Sequence, residues 1–401
     1  MTVSSPTRGR KNLTVGLLWH SLRSGNLGVG ALTLANMAIA RAEAERLGAD
    51  IRFVIFGMRD NGGTAEQASG VETRIIDRRF LLSRNGFRQA LDDIDCMLDI
   101  GAGDSFADIY GARRFFFLWY SKIVTARAKV PLILSPQTIG PFTRFPYRQL
   151  ARYALHRSTA VVSRDDLSLE IMKSLAPRAR SLFAVDVAFL LPFESRANER
   201  GGKTIKVGVN ASGLLFHQAE TGRNAFGLSY DYAAYIRALL AKLTARDDVK
   251  VHLIAHATSG TDAGDDDGTL ADRLATEFSG VVRVPNFPGP CEAKSTISGL
   301  DFLIAARMHA CVAAFSAGTP VLPVAYSRKF QGLFGSLGYD WSLPVQGLTV
   351  DEAVARTFSA IDGRDDLARN ESAGMARVEE RMEPYRALLR ESFDSILAGR
   401  Q

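Results

Sequence analysis

The segment Leu300-Asp-Phe-Leu-Ile-Ala-Ala-Arg-Met-His-Ala310 carries the pattern that decides the fold. Its first half is a short apolar run typical of a buried strand, and the residues from His309 onward form a short helical pattern. Arg307 and His309 therefore stand at the carboxyl end of a predicted strand, beside a predicted helix N-terminus. Ligands of open α/β sheets bind at this edge, and the N–H groups of a helix's first turn favour anions. The alternative is that Arg307 pairs with a local carboxylate and His309 only begins the helix.

Length and composition indicate a globular protein of two domains. A chain of 401 residues is too long for one ordinary core, and 46% hydrophobic and 23% charged residues are typical of globular proteins. The net charge of +6 is modest, so it favours anionic substrates or an anionic membrane face and does not require nucleic acid. Basic residues cluster between Arg113 and Arg164, but they are interspersed along predicted helices, as on a solvated face.

The cysteines and the N-terminal segment favour a reducing compartment. Cys96, Cys291 and Cys311 lie far apart and form no Cys-x-x-Cys pair, so we expect neither a disulfide framework nor a zinc site. Residues 1–11 lack the apolar core of a signal peptide, and no apolar run is long enough to span a membrane. We therefore expect a cytoplasmic protein, with peripheral contact at the inner face of the membrane left open.

The N-terminal residues form a strand–turn–helix pattern. Residues 13–19 are an apolar strand, residues 20–30 a glycine-rich turn, and residues 31–47 a long helix. This order is typical of a βα unit that binds an anion or a nucleotide. The glycines at positions 25, 28 and 30 do not match Gly-x-Gly-x-x-Gly, and no P-loop is present, so NAD and ATP motifs find no support.

Strands alternate with helices through the rest of the chain, which predicts a parallel, doubly wound sheet. The pattern restarts after a polar, glycine-ended linker at residues 193–202. We therefore predict an α/β protein of two Rossmann-like domains, residues 1–195 and 203–401, facing a cleft in a glycosyltransferase-B-like arrangement. The charged helical residues 349–393 suit packing on the outside, including back on the N-terminal domain.

One predicted helix, residues 110–128, mixes aromatic and basic side chains. Its segment Arg113-Arg-Phe-Phe-Phe-Leu-Trp-Tyr120 suits a membrane surface. Helices that cover a sheet have a similar composition, so both interpretations stay open.

Several segments of the chain, taken in their order along the sequence, resemble those of one protein family. They are Ser135-Pro-Gln-Thr-Ile-Gly-Pro141, Ser163-Arg-Asp-Asp-Leu-Ser168, Asp186-Val-Ala-Phe189, Ile297-Ser-Gly-Leu-Asp-Phe-Leu-Ile-Ala-Ala-Arg-Met-His309, Gly318-Thr-Pro-Val-Leu-Pro-Val-Ala-Tyr326 and Lys329. This set resembles the polysaccharide pyruvyl transferase family over residues 13–345. The strongest part is Arg-Met-His followed by Gly-Thr-Pro and Tyr-x-x-Lys.

The resemblance implies transfer of a pyruvyl group from phosphoenolpyruvate to two hydroxyls of a sugar, which yields a cyclic ketal and phosphate. It implies a glycan or lipid-linked oligosaccharide acceptor, no separate cofactor and a glycosyltransferase-B-like fold. Two segments depart from the family pattern. Asn26-Leu-Gly-Val29 stands where the family usually has Asn-x-Gly-Asp, and Gly101-Ala-Gly-Asp104 stands in place of three glycines. Both lie on the side that we assign to the acceptor.

The donor chemistry gives roles to residues of the C-terminal half. A guanidinium binds a carboxylate or phosphate bidentately, so Arg307 is the expected anion anchor. His309 is the expected acid that protonates the enol methylene, or else a hydrogen-bond donor to phosphate. Lys329 and Arg328 are expected to hold the other anionic end; the alternative is a solvated loop pair.

A second acid/base must deprotonate the sugar hydroxyls. Asp104 and His256 are the candidates, and each is also a plausible turn-capping residue. The run Asp265-Asp-Asp267 is expected to be solvated, or to cap the helix starting near Thr269, and we predict no metal. The remaining expected substrate-binding residues are Asn26, Gly28, Gln137, Arg164 and Asn210, and Asp186 matches a family position.

Two other functions fit the same architecture. One is a nucleotide-sugar glycosyltransferase, whose C-terminal domain also binds an anionic donor. The other is a non-catalytic anion-binding protein. It is considered because the loop Asn26-Leu-Gly-Val29 lacks the usual acid. The sequence leaves a homo-oligomer open and does not identify the acceptor sugar.

Overall fold

The chain is built on two parallel β-sheets that follow one another in the sequence. The computed structural model describes residues 11–59, 71–258 and 263–399. The N-terminal sheet has seven strands and the C-terminal sheet has six. The strands are β1 (Lys11–Leu18), β2 (Ala49–Gly57), β3 (Glu72–Ile75), β4 (Cys96–Asp99), β5 (Leu132–Gln137), β6 (Ala160–Ser163), β7 (Ser181–Phe183), β8 (Ile205–Asn210), β9 (Val249–Leu253), β10 (Val282–Arg283), β11 (Phe302–Ala305), β12 (Val321–Ala325) and β13 (Leu343–Pro344).

Both sheets are doubly wound, which confirms the predicted fold class. The strand order is β3-β2-β1-β4-β5-β6-β7 in the N-terminal sheet and β10-β9-β8-β11-β12-β13 in the C-terminal sheet. The order reverses between β1 and β4 and again between β8 and β11, and such reversals are where open α/β sheets bind ligands. The central strands β4, β5 and β11 are buried throughout, because helices cover both faces of each sheet.

The helices surround the two sheets unevenly. One hydrophobic core continues from the α1 side of the N-terminal sheet into the C-terminal domain, and a separate core lies under α3, α4 and α5. The helices are α1 (Leu27–Arg46), α2 (Arg78–Leu82), α3 (Ala112–Arg127), α4 (Tyr147–Arg157), α5 (Asp166–Leu175), α6 (Gly213–Glu220), α7 (Tyr232–Thr244), α8 (Asp267–Glu277), α9 (Pro290–Ser298), α10 (Met308–Ser316), α11 (Arg328–Phe330), α12 (Val350–Asp362) and α13 (Arg364–Ala398).

Helix α1 begins at Leu27, four residues before the predicted start at residue 31. The side chain of Asn26 caps it by accepting a hydrogen bond from the backbone N–H of Gly28 at 2.9 Å. The glycine-rich turn is therefore shorter than predicted, and Gly28 lies in the first helical turn. This correction moves two predicted site residues from a loop to a helix N-terminus.

Other boundaries also differ from the predictions. The last strand of the N-terminal half ends at Phe183, and Val187–Leu190 form a 3₁₀ turn capped by Asp186. Residues 84–88 form helical turns that are broken by a kink at Gly86, which leaves helical geometry. Helix α6 was not predicted at all.

The predicted linker is fixed to α9 by hydrogen bonds. The hydroxyls of Ser295 and Ser298 accept hydrogen bonds from the backbone N–H groups of Glu194 and Arg196. The ammonium of Lys294 is buried and donates to the carbonyls of Phe189 and Leu191 at 3.1 and 3.0 Å. The chain thus crosses between the domains along a helix of the C-terminal domain.

The last helix, α13, returns to the N-terminal domain. The hydroxyl of Tyr385 donates to Oδ1 of Asn36 at 2.6 Å and lies 2.8 Å from Oγ of Ser135. All three side chains are buried, so each depends on the others for its hydrogen bonds. Farther along α13, Arg390 pairs with Glu43 of α1 at 2.8 Å.

None of the helices described here combines the length and the apolar character that a transmembrane span requires.

The buried Lys294 predicts a specific dependence of stability on pH. Burial lowers its pKa from 10.5 to about 7, so between these values the unfolded chain binds more protons than the folded protein. Stability should therefore rise with pH in that window. The free energy of unfolding should increase by on the order of 2 kcal/mol from about pH 7 to about pH 9, and Lys294→Met should abolish this increase.

Urea unfolding at the two pH values measures the difference. Lys173→Met, at the exposed last turn of α5, is the matched control and should retain the increase. Equal pH dependence in Lys294→Met and in the unmodified protein would contradict the assignment.

Candidate active site

The carboxyl ends of both sheets meet at one cleft, and the predicted site residues lie there. Asn26 and Gly28 follow β1, Asp104 follows β4, and Gln137 and Arg164 lie at the ends of β5 and β6. From the C-terminal sheet come Asn210 at the end of β8, His256 after β9, Arg307 and His309 after β11, and Lys329 after β12. The side chain of Arg328 lies outside the described part of the chain.

The two domains touch through the loops after β1 and β9. The backbone N–H of Leu27 donates to the carbonyl of His256 at 3.2 Å, and that of Thr258 donates to the carbonyl of Gly25 at 2.8 Å. Asn26 and Ala257 form an isolated antiparallel bridge. These contacts hold the N-terminus of α1 against the C-terminal domain.

The first turn of α1 faces the first turn of α10 at His309. A Cβ atom at position 28 would overlap Nδ1 of His309, so only glycine allows this approach. Helix α10 starts after Arg307, and among the described side chains none caps that start. The imidazole therefore lies between two helix N-termini, where the helix dipoles favour negative charge.

Asp186 is a buried carboxylate between Arg164 of the N-terminal domain and His309 of the C-terminal domain. Its Oδ2 lies 2.5 Å from Nη1 of Arg164 and 3.8 Å from Nε2 of His309. Burial works to raise the pKa of Asp186, but Arg164, His309 and the backbone N–H of Ala188 outweigh it and hold the pKa far below its ordinary value. The longer distance exceeds a hydrogen bond, so Nε2 of His309 has no hydrogen-bond partner among the described residues.

Arg307 pairs with carboxylates of its own domain. Its Nε lies 3.1 Å from both oxygens of Asp267, and its Nη2 lies 2.7 Å from Asp267 and 2.5 Å from Asp265. Burial works to lower the pKa of Arg307, but the two carboxylates outweigh it and raise the pKa. Arg307 thus pairs with carboxylates, as the alternative held, but they lie about forty positions away in the sequence and are not local to it. Its Nη1 has no partner in the described ranges. The role of anion anchor stays a prediction.

The three consecutive aspartates do not behave alike, which corrects the predicted solvated loop. Asp266 caps α8 through the backbone N–H of Thr269, as the capping alternative predicts. Asp267 is fully buried and accepts hydrogen bonds from the backbone N–H groups of Gly213, His256 and Ala257. A buried carboxylate with these donors fixes the strand ends around it.

Asn210 and His256 both donate hydrogen bonds to Asp267, Asn210 from its side chain and His256 from its backbone N–H. They therefore belong to the same buried network. The amide of Asn210 donates to Asp267 at 3.2 Å, and its Oδ1 accepts from the backbone N–H of Arg307 at 3.0 Å. Burial, aided by the charges of His309 and Arg307 against a smaller opposing effect of Asp267, lowers the pKa of His256 to about 3. The side chain is therefore neutral near pH 7.

Lys329 and Asp104 form an ion pair across the cleft. The ammonium lies 2.5 Å from Oδ2 of the carboxylate, and the hydroxyl of Tyr110 donates to the same oxygen at 2.8 Å. Burial works to raise the pKa of Asp104, but Lys329, Tyr110 and Arg164 outweigh it and hold the pKa below its ordinary value. Lys329 is about half exposed, at 53%, so the pair faces solvent.

Gln137 shapes the loop that carries Asp104. Its Nε2 donates to the carbonyl of Asp99 at 2.6 Å, and a Cβ at position 101 would overlap its Oε1. Beneath the loop, Asp99 and Lys122 form a fully buried ion pair at 2.8 Å. Gln137 thus supports the loop from inside the domain and is not exposed to the cleft.

The sequence pattern of the family described as polysaccharide pyruvyl transferase matches residues 36–328, which is more than half of the chain. The chain belongs to the polysaccharide pyruvyl transferase family. A relative, the amylovoran biosynthesis protein AmsJ of Erwinia amylovora, is 23% identical over 293 residues, which cover 70% of this chain and 69% of the relative.

Solved structures show that this pyruvyl transferase family member has a glycosyltransferase-B-like fold. A sucrose-phosphate synthase of Thermosynechococcus elongatus superposes with a TM-score of 0.57 at 11% identity, covering 96% of this chain and all of that one. HepE of Anabaena, in complex with UDP and glucose, gives 0.55 at 12% identity, covering 96% and 99%. At these identities the likeness concerns the fold alone.

Two contacts at the site were not predicted from the sequence. Tyr110 was assigned only to a helix, yet its hydroxyl contacts Asp104. The pairing of Asp267 with Arg307 joins residues forty positions apart, and no local pattern signals it. Within the part of the chain described here, no cluster of His, Cys, Asp or Glu has the make-up of a metal site.

Gly28→Ala should displace the imidazole of His309, because the added methyl group would overlap Nδ1. Gly30→Ala is the matched control in the same helix, since its Cβ would lie 3.4 Å from Pro290, an ordinary contact. Gly30→Ala should raise the free energy of unfolding by about 0.5–1 kcal/mol through helix propensity. Gly28→Ala should show no such increase, because the overlap with His309 offsets it.

The ¹⁵N NMR signals of the imidazole, assigned with a His309→Gln variant, report the displacement. They should shift in Gly28→Ala and stay unchanged in Gly30→Ala. Identical signals in both variants would show that the imidazole does not depend on Gly28.

Proposed function

We propose that this protein transfers the pyruvyl group of phosphoenolpyruvate to two hydroxyls of one sugar in a glycan or its lipid-linked precursor. The products are a cyclic ketal and inorganic phosphate. The reaction is redox-neutral and requires no prosthetic group. Family membership supports the transferase assignment, and the donor and the ketal chemistry are our extension of it.

The observation that carries the proposal is the position of His309. Its imidazole lies at an uncapped helix N-terminus, and its Nε2 lacks a hydrogen-bond partner within the described residues. Oδ2 of Asp186 lies 3.8 Å from this nitrogen, beyond hydrogen-bond distance. An imidazole beside helix N–H groups is placed to contact an anionic donor and to transfer a proton to it.

The proposed reaction has two steps. His309 gives a proton to the methylene carbon of phosphoenolpyruvate, which becomes a methyl group while the first sugar hydroxyl adds to the adjacent carbon. The bond from that carbon to the phosphate oxygen then breaks with its electron pair, phosphate leaves, and the second hydroxyl adds. The two protons lost by the hydroxyls restore the imidazole and neutralise the leaving phosphate, so atoms and charges balance.

The pairs at the site suggest how the donor is bound. Lys329 is far more exposed than Arg164 or Arg307, and its partner Asp104 has a depressed pKa. An incoming phosphate or carboxylate would take the place of Asp104 on the ammonium. Asp104 would then be released as a carboxylate that accepts a proton from a sugar hydroxyl and passes it to the leaving phosphate, while Arg307 stays fixed by its buried partner and offers Nη1.

The biological setting is proposed from the relative. AmsJ is named for amylovoran biosynthesis. We propose a corresponding role in exopolysaccharide or cell-surface glycan biosynthesis. A cytoplasmic location is part of the proposal, because phosphoenolpyruvate is a metabolite of the cell interior.

Incubation with phosphoenolpyruvate and a panel of glycan acceptors tests the proposal. Phosphate should be released and a new ketal methyl signal should appear in the proton NMR spectrum. His309→Ala should lower turnover by roughly 10²–10⁴-fold, the usual contribution of a general acid. His217→Ala, an exposed histidine on α6, is the matched control and should keep full activity.

Thermal unfolding with added ligands, together with this turnover assay, separates the rival functions. Stabilisation by a nucleotide diphosphate and not by phosphoenolpyruvate in thermal unfolding would favour a nucleotide-sugar glycosyltransferase. Tight phosphoenolpyruvate binding with no turnover on any acceptor would favour a non-catalytic anion-binding protein. Full activity of His309→Ala would contradict the assigned proton donor.

Lys329→Met tests the exchange of partners in the cleft. Loss of one charge-assisted contact should weaken phosphoenolpyruvate binding by roughly ten- to a hundredfold. Because Lys329 holds the pKa of Asp104 down, its removal should raise that pKa. The acid limb of the pH–rate profile should therefore move to higher pH.

The profile of kcat/KM between mildly acidic and neutral pH measures both effects. Lys203→Met, an exposed lysine outside the cleft, should leave binding and profile unchanged. An unshifted acid limb in Lys329→Met would exclude Asp104 as the base.

A further inference from the structure

The segment from residue 109 to residue 164 contains no Asp or Glu. Glu and Asp are frequent elsewhere in the chain, whereas every formally charged side chain that this segment contributes is a Lys or Arg. Most of these basic side chains are exposed; Lys122 is buried. The segment's Lys and Arg residues are Arg113, Arg114, Lys122, Arg127, Lys129, Arg144, Arg148, Arg152, Arg157 and Arg164.

Helices α3 and α4, which carry many of these residues, pack side by side on the face of the sheet away from the C-terminal domain. The indole N–H of Trp119 donates to the carbonyl of Leu150 at 2.9 Å, and the rings of Phe115 and Tyr147 meet edge to face at 4.8 Å. Their core is separate from the one that extends into the C-terminal domain. The outer face of the pair is therefore open to solvent.

Two apolar side chains project from the loops that precede these helices. Phe145 is 83% exposed and Ile109 is 61% exposed. Asp108 fastens the loops together, because its Oδ2 accepts hydrogen bonds from the backbone N–H groups of Thr143 and Arg144 at 2.7 and 3.0 Å. Asp108 thus holds together the two loops that carry Ile109 and Phe145.

Aromatic and basic side chains alternate around these loops. Phe116 is 41% exposed and stacks on Tyr120 at 5.4 Å on the outer face of α3. The guanidinium of Arg114 lies 5.4 Å from the ring of Tyr110, and Arg144 is 62% exposed beside Phe145 in the sequence. Basic side chains around exposed aromatic ones are the composition of a surface that rests in the interface of an anionic bilayer.

This surface adjoins the candidate active site. Tyr110, within the same loop as Ile109, donates its hydroxyl hydrogen bond to Asp104, which pairs with Lys329 across the cleft. Both loops follow central strands at their carboxyl ends, the edge on which the cleft lies. A membrane in contact with the loops would therefore pass next to the mouth of the cleft.

We infer that the loops at residues 106–111 and 142–146, with the outer faces of α3 and α4, form a peripheral docking surface for an anionic lipid bilayer. Phe145 and Ile109 enter the headgroup region, and the surrounding arginines contact lipid phosphates. The further step, that docking brings the cleft to a lipid-linked acceptor, rests on the proposed function.

Vesicle flotation with the full-length protein tests the surface. The protein should float with phosphatidylcholine vesicles that contain phosphatidylglycerol and should stay in solution with phosphatidylcholine alone. Binding should weaken as salt is added, because the Debye length shortens. Arg113→Gln with Arg148→Gln should weaken binding by roughly 25-fold, about fivefold for each charge.

Matched variants distinguish binding through this surface from binding through overall positive charge or through any exposed apolar residue. Lys203→Gln with Lys250→Gln removes two exposed charges of the C-terminal domain and should leave flotation unchanged. Phe145→Ser should weaken binding by on the order of tenfold. Leu82→Ser, an exposed apolar residue after the edge strand β3, should have no effect.

The result is independent of the proposed chemistry. All four variants should turn over a soluble acceptor at the unmodified rate, because none of the changed residues contacts the cleft side chains. Equal flotation of the Arg113/Arg148, Phe145 and control variants, or equal binding to neutral vesicles, would overturn the docking surface. If the variants float as expected but the protein turns over no acceptor, the docking surface is supported and the proposed function is contradicted.

Discussion

The carboxylate of Asp186 is the constraint on which the arrangement of the two domains depends. It is buried between Arg164 of the N-terminal sheet and His309 of the C-terminal sheet. A buried carboxylate that loses its partners is strongly destabilising, so the two domains must bring Arg164 and His309 to it together. Asp186 also caps the turn Val187–Leu190 that leads into the crossing segment. The path of the chain and the geometry of the site are therefore set at the same place.

The cations of the site are already paired within the protein, and burial decides which pairs can open. Arg307 is held by Asp267, whose carboxylate is fully buried, so separating them would leave an uncompensated charge in the interior. Lys329 and Asp104 are both partly exposed, and water can solvate either one when they part. An anion entering the cleft would thus displace the exposed pair at small cost and leave the buried pair intact.

Local sequence patterns predicted the two sheets and the edge at which the site lies, because strand periodicity and βα alternation are short-range signals. The start of α1 was missed because Gly28 and Gly30 weaken the helical pattern, and the reason for Gly28 is the distant His309. The burial of Asp267 was missed for a similar reason. Three consecutive aspartates are typical of a solvated loop, and only the fold brings Arg307 to one of them.

Asp104 follows the strand next to the one that precedes the loop without its usual acid. Where the family usually has aspartate, this chain has Val29, in the first turn of α1 after β1. Asp104 follows β4, which pairs directly with β1 at the point where the strand order reverses. Both positions lie at the same edge of adjacent strands, so a carboxylate moved from one loop to the other stays at the cleft. In the proposed mechanism Asp104 supplies the carboxylate at this edge, and its ionisation depends on Lys329 of the opposite domain.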